Sequence, residues 1–236
     1  MATKTNSKID EMLTAGAHFG YTRTRRHPSA KPFVLGTKNR VDILNLEKID
    51  ELSAKAREFV KSLSAAGRTI IFIGSKPEAR DIVKRTAEEL GQPYVVERWI
   101  GGTLTNFPEI KKRIDKLAAL LENREKGATQ VYTKKERLMI DREIARLEKY
   151  FSGLSSLKNL PAAIFVVDSK KENIAVAEAR KMKIPVVSLS NSDCDLKQVT
   201  YPIIGNDASV SSIAFFVGEI AEAYKEGKSA NAEIAK

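Results

Sequence analysis

A single cysteine, Cys194, stands among 236 residues, which excludes an intrachain disulfide and any zinc site built on paired cysteine ligands. A reducing compartment suits such a chain. Only two histidines occur, His18 and His27, far along the chain from Cys194, so nothing local supports a Cys/His catalytic pair. No apolar run approaches the roughly 18–20 residues of a membrane span, and Met1 to Asp10 is polar with no apolar block and cleavage site behind it. A cytoplasmic, unprocessed protein is the expectation. Neither a G-x-G-x-x-G nor a G-x-x-x-x-G-K-[ST] loop is present, which removes two common signatures for nucleotide phosphates.

Acidic residues are missing where they matter most. None lies between Glu11 and Asp42, while Arg23, Arg25, Arg26, Lys31, Lys38 and Arg40 all fall in that stretch. The whole chain carries 40 Lys and Arg against 30 Asp and Glu, a formal charge of +10. Such an excess favours polyanionic partners, because each cation that neutralises a phosphate releases a condensed counterion. A solvated surface ordinarily mixes its signs, so the one-sided run reads as a phosphate-facing segment.

With 42% hydrophobic residues there is enough apolar material for a core. Ile70-Ile71-Phe72-Ile73 is a short β-branched run ended by Gly74, and Ser75-Lys76-Pro77-Glu78 then predicts a capped helix through Ala79, Ile82, Val83, Ala87 and Leu90. Gly91 ends it and Pro93 to Val96 starts the next strand. The same order recurs as Ile164 to Asp168, Ser169-Lys170-Lys171-Glu172, a helix through Val176 and Ala179, and Ile184 to Val187. Continuous apolar strands joined by helices predict an α/β fold, a doubly wound, flavodoxin-like parallel sheet flanked by helices. Leu46–Ala66 and Ala208–Tyr224 are read as flanking helices.

Between the two units, Ile110, Ile114, Leu117 and Leu121, then Ile140, Ile144, Leu147 and Phe151, follow the spacing of a coiled-coil seam. Gly127 breaks the pattern and Thr133 to Glu136 caps the second half, which predicts an inserted antiparallel helical hairpin over 108–153. The core is then discontinuous, 1–107 plus 154–227, with a basic N-terminal segment 12–41 and a tail 228–236 expected to be disordered. Because its seam is local, the hairpin is expected to be dispensable for folding of the core.

Candidate sites are few. Gly74-Ser75-Lys76 and Asp168-Ser169-Lys170 end strands where nucleotides bind in such sheets, but they read as capped helix starts, which most such folds have for structural reasons alone. Arg98-Trp99-Ile100-Gly101-Gly102 reads either as a structural joint or as a loop offering Arg98 and exposed backbone to RNA phosphate. The hairpin's Lys111, Lys112, Lys134 and Lys135 read as a solvated face or as a docking surface. Asp195 and Asp207 follow neighbouring strand ends; as oxygen ligands they suit Mg²⁺, or Zn²⁺ if an imidazole joins, while Asp207 as a helix cap is the alternative.

Ala17-His18-Phe19-Gly20, Asn39-Arg40-Val41, Phe72 to Lys76, Arg98 to Phe107, Thr133 to Glu136, Asn159-Leu160-Pro161, Phe165 to Asp168 and Pro202 to Asp207 together resemble one ribosomal protein family, that of the second protein of the small subunit. The resemblance spans roughly Ile9 to Gly227, and the Arg-Trp-x-Gly-Gly run before a hairpin is similar to the bacterial and organellar branch. It implies a non-enzymatic, cytoplasmic, ribosome-bound component. The implied partners are small-subunit rRNA and neighbouring proteins, including the mRNA-capturing first protein, with no membrane, no homo-oligomer and no required cofactor. The RNA contacts implied are Arg23, Arg25, Arg26, Lys31, Lys38, Arg40, Arg98, Lys111, Lys112, Lys134 and Lys135. It also implies a metal-binding acidic cluster, for which His27, Asp195 and Asp207 are available. Tyr21, Arg26, His27, Asn191-Ser192-Asp193 and Leu196 depart from the family pattern. A free-standing nucleotide-binding protein or enzyme of flavodoxin type is the rival reading.

Overall fold

The computed structural model describes residues 2–126 and 132–234. The chain opens with helix α1 (Ala2–Thr14), then β1 (Phe19–Thr22), β2 (Val34–Lys38) and β3 (Val41–Leu44), which form an antiparallel sheet in the order β1-β3-β2. The β2–β3 hairpin turns on two residues, Asn39 and Arg40, both left-handed at φ 51° and 67°. Helix α2 (Leu46–Ala65) follows, started by Asn45, whose side chain accepts from the amides of Glu47 and Lys48.

The main sheet is built from β4 (Ile70–Ile73), β5 (Tyr94–Val95), β6 (Ala163–Val167), β7 (Val186–Ser190) and β8 (Tyr201–Ile204). All its pairs are parallel and the order is β5-β4-β6-β7-β8, so the winding direction reverses between β4 and β6. Helices α3 (Pro77–Leu90) and α6 (Asn173–Lys181) are crossovers, and α7 (Val210–Ile234) closes the described chain. Strand alternation divides the core. Ile70 and Phe72 of β4, with Phe165 and Val167 of β6, face one apolar cluster shared with α2, α3 and α7. Ile71, Ile73, Ile164 and Val166 face a second one, shared with α6.

Helices α4 (Phe107–Glu125) and α5 (Lys134–Phe151) pack on each other; of the eight seam residues Ile110, Ile114, Leu117, Ile144, Leu147 and Phe151 are buried, and Leu121 and Ile140 are half-buried. Thr133 and Glu136 form the predicted capping box. The break expected at Gly127 lies outside the described residues. The six buried side chains belong to the same cluster as the β4 and β6 residues, so the base of this helix pair covers the sheet rather than standing clear of it.

Two local readings need correction. The other two capping boxes do not form, since α3 begins at Pro77 after Lys76 and α6 begins at Asn173 after Glu172, neither with a side-chain cap. Instead Ser75 of the first unit bonds Glu172 of the second through both its amide and its hydroxyl. The tail is helical through Ile234 rather than disordered. Gly227 lets α7 lie against α2, where a Cβ would meet the Lys61 carbonyl at 2.3 Å, and the Ala- and Lys-containing residues beyond it extend a helix already nucleated by packing. Residues 235–236 lie outside the described residues.

Candidate nucleic-acid interface

The small antiparallel sheet and its turns display the basic segment. Arg23 and Arg25 lie in a one-turn helix after β1, Lys31 in another before β2, and Lys38 and Arg40 at the β2–β3 turn; all five are exposed. Among the described residues none of the five forms an ion pair, and Arg25 sits 5.4 Å from the centre of the Tyr21 ring. Arg26 differs from its neighbours. Its Nε lies 3.5 Å from Oδ2 of Asp42, a fully buried carboxylate whose other oxygen accepts from Thr37 at 3.0 Å. Arg26 thus has an internal partner that its basic neighbours lack, because a buried charge must be paired within the fold.

Ser192 fastens this sheet to the core. Its hydroxyl accepts from the Tyr21 amide at 2.9 Å, and its carbonyl accepts from the His27 amide at 2.8 Å. A Cβ at Gly20 would lie 3.1 Å from that hydroxyl. The residues around Asn191 therefore position the basic strands.

The Arg98–Asn106 loop is held by one carboxylate. Glu178 accepts from Trp99 Nε1, the amides of Gly102, Leu104 and Thr105, and the Thr105 hydroxyl, at 2.7–3.3 Å. Burial pushes its pKa up, but these donors outweigh burial and hold it below the usual carboxylate value. Trp99 is buried while Arg98 is exposed, so the loop is both the structural joint and a rigid mount for a guanidinium. Sequence reasoning missed Glu178; its signal was a charge between Ala175 and Ala179 on the apolar stripe of α6. On the helix pair Lys111, Lys134 and Lys135 are exposed and make no ion pair among the described residues, whereas Lys112 pairs with Glu109 at 2.6 Å.

At the sheet's reversal point Lys76 extends between two carboxylates, 2.7 Å from Asp168 Oδ2 and 2.7 Å from Asp207 Oδ2. Burial pulls its pKa down, but Asp207 and Asp168 override this and hold the ammonium charged. Burial pushes the Asp207 carboxyl up, only partly opposed by Lys76. Asn191 donates to the other Asp207 oxygen at 3.0 Å, so Asp207 is an internal partner and not a helix cap. Lys170 is drawn off to Asp193 at 2.8 Å. Of the two strand-end lysines, Lys76 is thereby committed to internal carboxylates, while Lys170 stays exposed beside Asp193. Cys194 is buried and its thiol pKa is pushed up to about 12 by burial, which leaves it protonated and unreactive.

A family model described as Ribosomal protein S2 matches residues 12–227. The chain belongs to the ribosomal protein S2 family. Small ribosomal subunit protein uS2 of Sulfurimonas denitrificans is 42% identical over 220 residues, covering 93% of this chain and 85% of the relative. The protein of the same name from Coprothermobacter proteolyticus is 41% identical over 220 residues, covering 93% and 82%. That from Solidesulfovibrio magneticus is 39% identical over 226 residues, covering 96% and 88%.

The metal set expected in this S2-family chain is divided by the structure. His27 Nδ1 lies 3.8 Å from Asp195 and 2.8 Å from the Ser29 hydroxyl, while Asp207 belongs to the Lys76 pair. Among the described residues no three His, Cys, Asp or Glu side chains gather as a metal requires. The residues do not fit the ion as a set, since the Lys76 ammonium already supplies the cation between Asp168 and Asp207.

Proposed function

We infer that this S2-family chain is a structural, non-enzymatic component of the small ribosomal subunit that binds small-subunit rRNA through its N-terminal sheet. The observation that carries this reading is the group of five exposed cations, Arg23, Arg25, Lys31, Lys38 and Arg40, without ion-pair partners among the described residues. Unpaired cations on a rigid sheet are positioned for phosphate and carry no base code, as a scaffold protein requires. Arg98 and the basic faces of α4 and α5 extend the surface, and we read that pair as a coiled-coil hairpin inserted into the core. Neighbouring small-subunit proteins, including the first protein, are the proposed protein partners. The proposed setting is cytoplasmic and ribosome-bound; no described helix is long and apolar enough to cross a membrane. No cofactor is needed in this reading, because Lys76 balances the buried carboxylates.

The test is co-sedimentation of the purified chain with small subunits depleted of their own copy, together with a salt titration of binding to the rRNA. Stoichiometric incorporation and a steep fall of log K with log salt are expected. Stabilisation by free nucleotides without incorporation would favour the flavodoxin-type rival, against which the commitment of Lys76 to Asp168 and Asp207 speaks.

A further inference from the structure

A cleft of about 410 Å³ opens between the base of α5 and the carboxyl ends of β4, β5 and β6. That volume lies within the range of small-ligand sites, and the position is the reversal point of the sheet, where α/β folds take their ligands. Its walls carry Arg80, Arg98, Lys149 and Lys171 against two carboxylates, Glu97 and Glu172. Both carboxylates are committed. Glu97 pairs with Arg80 at 3.4 Å, and the buried Glu172 is held by Ser75. Arg98, Lys149 and Lys171 remain without ion pairs among the described residues. The cleft is also lined by the half-buried Tyr150, with the Lys149 ammonium 5.8 Å from its ring centre, and by Ile174, which is 48% exposed.

Cations alone would suit any anion; cations beside an aromatic face and an exposed aliphatic side chain suit an anion joined to a planar ring. We propose that this cleft receives one unpaired nucleotide of the bound rRNA, its base on Tyr150 and its phosphate on Arg98 with Lys149 and Lys171. Arg98 is fixed for this role by the Glu178 bonds that hold its loop. The proposal rests on the rRNA-binding reading above and adds to it a site for a single base.

The test uses the full chain with a small-subunit rRNA transcript over a salt series. Tyr150→Phe should bind within about twofold of wild type, because the ring and not the hydroxyl is used. Tyr150→Leu and Tyr150→Ala should weaken binding by about five- to a hundredfold with an unchanged salt slope, since stacking releases no counterions. Arg98→Ala should lower the slope by about 0.7. Ultraviolet cross-linking should leave one nucleotide on the peptide holding Tyr150. Wild-type affinity for Tyr150→Leu, with an unchanged melt, overturns the nucleotide site while leaving rRNA binding intact. A loss seen only when neighbouring ribosomal proteins are added overturns it in favour of an acidic protein segment. Stabilisation of the free chain by millimolar mononucleotide, beyond that by inorganic phosphate, overturns the rRNA source. Failure of the wild-type chain to bind the transcript removes the rRNA reading and the site together.

Discussion

At the scale of single residues, the same charge type does opposite work according to its partner. Arg25 is exposed with no carboxylate, while Arg26 next to it answers the buried Asp42. Arg25→Ala should lower the salt slope of rRNA binding by about 0.7–0.9 and leave the melt unchanged. Arg26→Ala should instead destabilise by about 2–3 kcal/mol, read by chemical denaturation, because Asp42 loses its cation. Glu178 gives a pH signature. Its folded pKa lies below the unfolded one, so its contribution is present above about pH 4.3 and is lost as the pH falls through the folded value. Glu178→Gln should therefore melt lower at pH 7, by about 2 kcal/mol, with the gap to wild type closing as both are taken toward pH 3. A gap independent of pH would mean that the carboxylate charge plays no part in holding the loop.

At the scale of elements, the β2–β3 turn trades stability for charge. Arg40 is left-handed at φ 67°, a conformation glycine adopts without strain. Arg40→Gly should raise stability by about 0.5–1 kcal/mol in denaturant titrations and weaken rRNA binding in the same protein. Helices α4 and α5 carry a second expectation. Replacing 118–139 with a Gly/Ser linker should leave a cooperative melt, because Ile110, Ile114, Ile144, Leu147 and Phe151 stay in the cluster under β4 and β6. Replacing 109–152 removes those side chains, each worth roughly 1.5–3 kcal/mol when buried, and should abolish or sharply lower the melt. The sequence showed these elements because a buried strand or helix face writes its period directly, as in Ile70 to Ile73. Strands β1 and β2 were illegible for the converse reason, being short, largely exposed and bulged, and in β3 the inward positions are Asp42 and Leu44, so its burial alternates without an apolar alternation in the sequence. Of the interface, the charge run was legible, but that Arg26 faces inward, that Asp207 meets Lys76 rather than His27, and that Glu178 anchors the Arg98 loop depend on tertiary neighbours no local pattern encodes.

At the scale of the whole molecule, two apolar faces of one sheet are covered by parts of the chain far apart in sequence. The face shared with α2 and α3 is completed by Ile213, Phe216, Val217, Ile220 and Tyr224 of α7. A chain ended at Ala208 should keep helical circular dichroism, bind the dye ANS and lose its cooperative melt. Retention of a sharp transition would show that α7 is an accessory. The position of α7 also bears on biosynthesis. Translation adds about 5–20 residues per second, so the 25 residues of α7 take roughly one to five seconds to make after the sheet's strands exist. Through that interval a nascent chain presents Phe72, Phe165 and Leu189 on a sheet that α2 and α3 cover only in part. It is then a substrate for holding chaperones, and its vulnerable window ends only once α7 has packed.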